Sequence, residues 1–415
     1  MVRGWRLLLS APPLAAGAGS PVVIIPGDGS NQLEARTRLI RANRLDKPSV
    51  VSSWCSQKSD WFRLWLDTPN LLFGTTCWAD NIKLVYDEQN GVLSNSAGVE
   101  TRVPDFGGTS SFEELDPGVP GHATAAFRKM VQALTNVGYE RNVTLRGAPY
   151  DFRYAPSSPV GAHFIDDLRG LIEETARATG KRVVLVSHSM GCLQGLYLLN
   201  QQTQAWKDEF IEKWIPLAGP FGGSAKEMRL HASGDNQGLP VSALKIREEQ
   251  RSYETNFWLA PTREFGTRVL ISTPDRNYTI LDVDAFFDDI GFPAGKSLYR
   301  RTENLTSAVE APGVDVVCMY SLGVPTPTHF QYGAGGFDEA PTVTNGDGDG
   351  TVNDLSLRLC DRWAEASARG RTARVQRFSG VTHSGMLTDD GVIRALLAEL
   401  GLEHPAAAAE GHLFA

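Results

Sequence analysis

The pentapeptide Ser187-His188-Ser189-Met190-Gly191 constrains this chain more than any other feature. It stands between a short, continuously apolar run at 183–186 and a stretch carrying Leu193, Leu196, Tyr197 and Leu198. The run reads as a buried parallel strand and the stretch as a helix. A serine on so sharp a strand-to-helix turn is strained and crowded, because strand and helix approach closely there. Small residues two places before and two places after it relieve the crowding. Ser187 and Gly191 occupy those places. The pattern predicts Ser189 as a nucleophile rather than an ordinary turn serine.

The rest of the chain supplies a sheet to hold such a turn. Val22–Ile25 is a second apolar run, ended by Pro26-Gly27. Phe164, Ile165, Leu168, Leu171, Ile172 and Ala176 recur at helical spacing, and Gly180 follows as a stop. Further strands are expected at 214–218, 314–320 and 375–378. Alternating strands and helices imply an α/β sheet, and with the elbow an α/β-hydrolase core. Two stretches break the rhythm: 49–80 and 221–310, the latter read as an inserted cap.

That fold requires the order serine, acid, histidine along the chain. Of eight histidines only His383, His404 and His412 lie far enough along, and the last two sit in an alanine-rich tail. His383 follows a predicted strand and is the expected base. The string Asn345-Gly346-Asp347-Gly348-Asp349-Gly350-Thr351-Val352 offers two acids. Asp349 is preferred because such acids often read D-x-x-V, with Asp347 as runner-up. The same string fails as a calcium loop: counting from Asp347, Val352 stands where glycine is needed and Arg358 where a bidentate glutamate is needed. No zinc-like His/Cys spacing occurs either, so neither a metal nor a cofactor is expected. The oxyanion hole needs two backbone N–H groups, one from Met190 and one from the loop Pro26-Gly27-Asp28-Gly29.

The chain has 415 residues, 42% apolar and 21% charged, which excludes collagenous, coiled-coil and wholly disordered classes. Its net charge of −8 argues against a nucleic-acid partner. No apolar run reaches about 18 residues, so no transmembrane helix is expected. Arg3 and Arg6 followed by Leu7, Leu8 and Leu9 resemble a signal segment over 1–20. The cysteines are Cys55, Cys77, Cys192, Cys318 and Cys360. An odd count fits two bridges and a free thiol in any of fifteen choices of two pairs. The sequence separations suggest Cys55–Cys77 and Cys318–Cys360. Acceptor triplets begin at Asn142, Asn277 and Asn304. Together these favour a lumenal or extracellular setting.

Trp54, Trp61, Trp65 and Trp78, four of nine tryptophans, crowd around the suggested Cys55–Cys77 loop with Phe62, Leu71, Leu72 and Phe73. A small module cannot bury so many large apolar groups alone. Trp54, Trp61, Phe62, Leu71, Leu72 and Phe73 are therefore expected to contact lipid. For Trp65 and Trp78, packing on the main domain is the expectation.

Longer strings resemble the lecithin:cholesterol acyltransferase family. They include P-G-D-G-S-N-Q-L-E at 26–34, L-D-K-P at 45–48, R-G-A-P-Y-D-F-R at 146–153 and A-W-K-D at 205–208. Others are A-S-G-D-N-Q-G at 232–238, K-I-R-E-E-Q-R-S at 245–252, N-Y-T at 277–279, G-V-P-T-P at 323–327 and G-D-G-D-G-T-V-N at 346–353. The resemblance covers about 21–400. It implies an α/β-hydrolase core with a disulfide-closed membrane-binding subdomain and an inserted cap and lid. It places the nucleophile on Ser189, the acid on Asp349, the base on His383 and the oxyanion donors on Asp28 and Met190. The bridges fall on Cys55–Cys77 and Cys318–Cys360. Asp28 and the 346–353 string look like a phospholipase branch, whereas Cys192 looks like a cholesterol-acylating branch.

Departures are Gly29-Ser30 in the oxyanion loop, Ala218-Gly219-Pro220-Phe221, and a basic insertion at 36–44 carrying Arg36, Arg38, Arg41 and Arg44. The expected organisation is a signal-like 1–20, core 21–48, membrane subdomain 49–80, core 81–220, cap and lid 221–310, core 311–403 and tail 404–415.

The resemblance implies a calcium-independent serine phospholipase A and acyltransferase, transferring acyl groups from glycerophospholipids to water or a lipid alcohol such as ceramide. The alternatives are a phosphatidylcholine–sterol acyltransferase acting on lipoproteins, and a non-catalytic lipid-binding protein. Phospholipid membranes or lipoprotein surfaces are the expected partners of a monomeric chain in the lysosome lumen or outside the cell. An ionised Asp28 carboxylate beside the oxyanion would oppose the developing charge, so activity is expected to be highest in acid.

Overall fold

The computed structural model describes residues 19–37, 55, 60–305, 310–365 and 370–402. The signal-like segment up to residue 18, Trp54, the arginines of the basic insertion beyond Arg36, and the tail lie outside the described residues.

The centre is a six-stranded sheet in the order Ala373–Ser379, Val316–Leu322, Ile211–Leu217, Val183–His188, Val22–Ile25, Leu145–Gly147. Every pairing in it is parallel. The adjacent strands Val183–His188 and Val22–Ile25 are buried along their whole length, which is why they read as unbroken apolar runs. The helix Pro159–Thr179 covers one face. Ser158 caps it by accepting from the Gly161 N–H, proline occupies its first turn, and Gly180 ends it at φ 67°. Its inward stripe runs through Phe164, Leu168, Leu171 and Ile172, the predicted positions.

Two smaller units flank this sheet. Near the N-terminal half, the strands Phe62–Trp65, Leu33–Thr37 and Val99–Arg102 form a three-stranded antiparallel sheet. The short helices Thr68–Phe73 and Thr75–Ile82 follow it, and Cys55 is bonded to Cys77 there. The cap has its own core, built around Phe257, Phe286, Phe287 and Tyr299. Its four-stranded sheet takes Thr326–Gln331 and Thr342–Gly346 alongside Ile271–Ser272 and Asn277–Tyr278. The cap unit therefore reaches past the expected boundary at 310. The antiparallel hairpin 326–346 leaves the central sheet after Leu322 and pairs with cap strands instead. Cys318 is bonded to Cys360, and Cys192 is a buried free thiol.

Candidate active site

Ser189 sits between the strand Val183–His188 and the helix Met190–Gln201, at φ 55° and ψ −130°. Few non-glycine residues adopt such a backbone, and strain of this kind collects at reacting groups. Its own N–H donates to the Leu217 carbonyl at 3.0 Å, which holds the turn. A Cβ on Gly191 would stand 2.4 Å from the carbonyl oxygens of Ile25 and Pro26, and one on Gly27 would stand 2.7 Å from Ser189 Cβ. These contacts are the crowding that demands small residues. Ser187 fits because its hydroxyl accepts from Trp214 Nε1 at 2.8 Å and lies 3.3 Å from Cys192 Sγ.

His383 follows the strand Ala373–Ser379. Its Nε2 lies 2.8 Å from Ser189 Oγ, and its Nδ1 lies 2.7 Å from Asp349 Oδ2. The Nδ1–H donates to the carboxylate, which leaves the Nε2 lone pair facing the serine hydroxyl. Asp349 is fully buried, and its Oδ1 accepts from the N–H groups of Thr351 and Val352. Burial works against its charge. The His383 contact and those backbone donors outweigh burial and hold the carboxyl below its usual range. Asp347, the runner-up, is used elsewhere: its Oδ1 accepts from Gly323 N–H at 2.6 Å and Gly348 N–H at 2.8 Å. The structure thus brings Ser189, His383 and Asp349 into one hydrogen-bonded line.

Asp28 and Met190 border the same place. Met190 is the first residue of its helix, where N–H groups have no partner four residues back. The loop of Asp28 is held by Ser30 N–H donating to the Gly27 carbonyl, by Tyr150 Oη donating to the Pro26 carbonyl, and by Trp65 Nε1 donating to the Gly29 carbonyl at 2.7 Å. Gly29 has φ 58°, with the Trp65 ring against its back, so the Gly29 departure has a local reason. The Asp28 carboxyl is pushed up to about 7 by burial, against one backbone hydrogen bond from Gly29. A cavity of about 850 Å³ opens above these groups, lined by Asp28, Ser189 and His383 with Trp65, Leu71 and Leu230 among its apolar walls.

The expected lipid-facing residues separate. Phe73 is 90% exposed, at the tip between the two short helices. Leu72 and Phe62 are half-buried against the core. Trp61 is half-buried, with the guanidinium carbons of Arg36 and Arg102 at 4.8 and 4.3 Å from its ring centroid. Leu71 is a correction. It is 2% exposed and lines the cavity, because the helix Thr68–Phe73 turns it toward the core. Trp78 is buried and donates through Nε1 to the Leu64 carbonyl, while Trp65 packs on Phe152. Asn142, Asn277 and Asn304 are all exposed.

Three cavity residues escaped the sequence reading. His188, the variable position of the elbow, is buried behind the serine, and burial, with the nearby His383, holds its imidazole down to about 3. Glu227 and Glu249 line the cavity from the cap, and nothing in their sequence neighbourhood signals it. Among the described residues, no group of His, Cys, Asp and Glu could hold a metal ion.

The lecithin:cholesterol acyltransferase family profile matches residues 61–389. Over 388 residues the chain is 43% identical to the lysosomal phospholipase A and acyltransferase of Homo sapiens, covering 92% of this chain and 91% of that one. It is also 43% identical, over 373 residues, to the phosphatidylcholine-sterol acyltransferase of Homo sapiens, covering 88% and 81%. Among solved structures, the Tle4–Tli4 complex matches at a TM-score of 0.49 and 13% identity, over 93% of this chain and 98% of that one.

Proposed function

The chain belongs to the lecithin:cholesterol acyltransferase family, and from that premise we propose that it is a calcium-independent serine phospholipase A and acyltransferase. The observation that carries this reading is the line Ser189 Oγ, His383 Nε2 and Nδ1, Asp349 Oδ2 at the floor of a large, partly apolar cavity. In it, His383 accepts the Ser189 proton as Oγ attacks the acyl carbonyl of a glycerophospholipid. The N–H groups of Asp28 and Met190 stabilise the oxyanion. The ester C–O bond breaks, and His383 returns the proton to the departing lysophospholipid alcohol. Water or a lipid alcohol such as ceramide then gives its proton to His383 and takes the acyl group from Ser189, and His383 passes that proton to the departing Ser189 Oγ. Asp349 keeps the imidazole oriented and balances its charge.

The phospholipase reading is favoured over the sterol-acylating one by the greater coverage of the phospholipase relative on both chains. The raised Asp28 carboxyl, two disulfides and three exposed acceptor asparagines support a lysosomal or extracellular setting. Phe73, with the half-buried Leu72 and Trp61 of the same subdomain, is the proposed membrane-touching rim. Labelling by a fluorophosphonate tests the nucleophile. Peptide mass analysis should place the label on Ser189, and a label on any other residue would overturn the assignment.

A further inference from the structure

Four carboxyls line the cavity above Ser189; Asp235 faces Lys226, and the other three, each from a different stretch of chain, carry an unpartnered buried oxygen. Asp28 belongs to the loop after the strand Val22–Ile25. Glu227 stands in the first turn of the helix Lys226–Ser233, and Glu249 in the last turn of the helix Ala243–Gln250. Asp28 Oδ1, Glu227 Oε2 and Glu249 Oε2 are each out of solvent and make no hydrogen bond. Glu249 as a whole is only 4% exposed. An unpartnered buried carboxyl oxygen costs free energy unless a ligand satisfies it. Three of them around one cavity mark a place where a polar group of the substrate belongs.

We propose that Glu227 and Glu249, with Asp28, form a subsite for the oxygen-rich glycerophosphate part of the substrate, donating hydrogen bonds to it when protonated and repelling it when ionised. The proposal rests on the reading that Ser189 opens a phospholipid ester in this cavity. Ester and phosphate oxygens are acceptors only, so a carboxyl can bond to them only while it holds its proton. Burial supports this. It is the largest influence on all three groups, raising Glu227 and Glu249 to about 8 and Asp28 to about 7. The charge of Asp28 adds to the rise of both glutamates.

The neighbouring charges do not cancel the cluster. Lys226, adjacent to Glu227 and also on the cavity wall, lowers it, but burial and Asp28 outweigh that charge, and Asp235, 3.8 Å from Lys226, raises Glu227 further. Arg153 is held by Asp151, and the Tyr253 hydroxyl bonds to Glu249. Arg247 pairs with Asp338 and Arg251 with Glu248 on the helix of Glu249, and Lys83 pairs with Asp80 on the helix packed against it. His231, on the helix of Glu227, is held neutral by burial, as is His188 beneath the cavity. His383 lines the cavity floor with Ser189. Glu227 and Glu249 stand on the cap and not on the oxyanion loop itself. Their charge is therefore read in KM, and that of Asp28 in kcat.

The test measures KM against pH for wild type, Glu227→Gln and Glu249→Gln. The substrates are dihexanoyl phosphatidylcholine and dihexanoyl phosphatidylglycerol, both kept monomeric. Wild-type KM should climb as pH rises through about 8, more steeply for the anionic lipid. Each variant should shrink that climb, because one carboxylate fewer forms in the cavity as pH rises. Wild-type hydrolysis with variant profiles that superimpose on it overturns the subsite. No hydrolysis of either lipid by wild type at any pH overturns the phospholipase reading instead. Thermal melting against pH needs no substrate. A glutamate that keeps its proton only in the folded state loses stabilising effect as pH rises through its raised value. Glu227→Gln should therefore flatten the fall of Tm between acid and neutral pH, and an unchanged slope overturns the proposal.

Discussion

His188 Nε2 lies 3.0 Å from the backbone carbonyl of His383. A carbonyl can only accept, so the His188 imidazole donates to the segment that carries His383. The two rings are 4.9 Å apart, and His188 stays neutral because burial opposes its charge. His188 therefore positions His383 without adding a second charge beside it. His188→Ala should lower kcat while leaving KM nearly unchanged. His188→Gln, which keeps a donor, should recover part of the loss. Equal kcat for Ala and Gln variants would show that the hydrogen bond does not matter.

The line from Ser189 to Asp349 acts as a unit in the proposed mechanism. Asp349→Asn should leave the fold intact and reduce kcat by about 10⁴. His383→Ala should cost a similar amount, and the double variant little more. Steady-state kinetics with a soluble ester checks this, and strictly additive losses would contradict it.

Asp28 should set an upper pH limit. Its carboxyl is raised to about 7, so it is neutral in acid and ionises as pH approaches neutrality, beside the developing oxyanion. His383 must be unprotonated to accept the serine proton, which sets the limit on the acid side. Asp28→Asn should keep activity in acid and extend kcat toward neutral pH. The folded state holds the Asp28 proton more tightly than the unfolded chain, so wild type also loses stability as pH rises toward 7. The Tm gain of Asp28→Asn over wild type should grow in that direction. Superimposable pH–rate profiles would remove Asp28 from the account.

Phe73 and Leu71 should behave oppositely although they are two residues apart. Burying a phenyl ring is worth about 2 kcal/mol, or roughly thirtyfold in partition to a vesicle. Phe73→Ser should weaken vesicle binding by that order and leave hydrolysis of a soluble ester untouched. Leu71→Ser should lower Tm, because it puts a hydroxyl into a buried site. Vesicle sedimentation with parallel melting curves separates the two.

The contrast within Leu71, Leu72 and Phe73 also shows what a sequence can carry. The elbow was legible because its constraints are local: a buried strand, a strained serine and small neighbours within five residues. His383 was legible from chain order and the poverty of alternatives. Choosing Asp349 over Asp347 was a matter of pattern, and the structure supplies the reason in the separate hydrogen bonds of Asp347 to Gly323 and Gly348. Leu71 was misread because an apolar run does not say which way its helix docks. Glu227 and Glu249 were illegible because only the packing of the cap on the core brings them near Asp28. The hairpin 326–346 joined the cap for the same kind of reason, since strand pairing across an insertion leaves no mark in either strand.

Lipid product analysis asks whether Ser189 carries the acyl group from phospholipid to acceptor. Wild type and Ser189→Ala are incubated at acidic pH with phosphatidylcholine vesicles containing ceramide, and the products are identified by mass spectrometry. The account predicts lysophosphatidylcholine, free fatty acid and O-acylceramide from wild type, and none of the three from Ser189→Ala. Lysophosphatidylcholine formed equally by both proteins, or by neither, would contradict it.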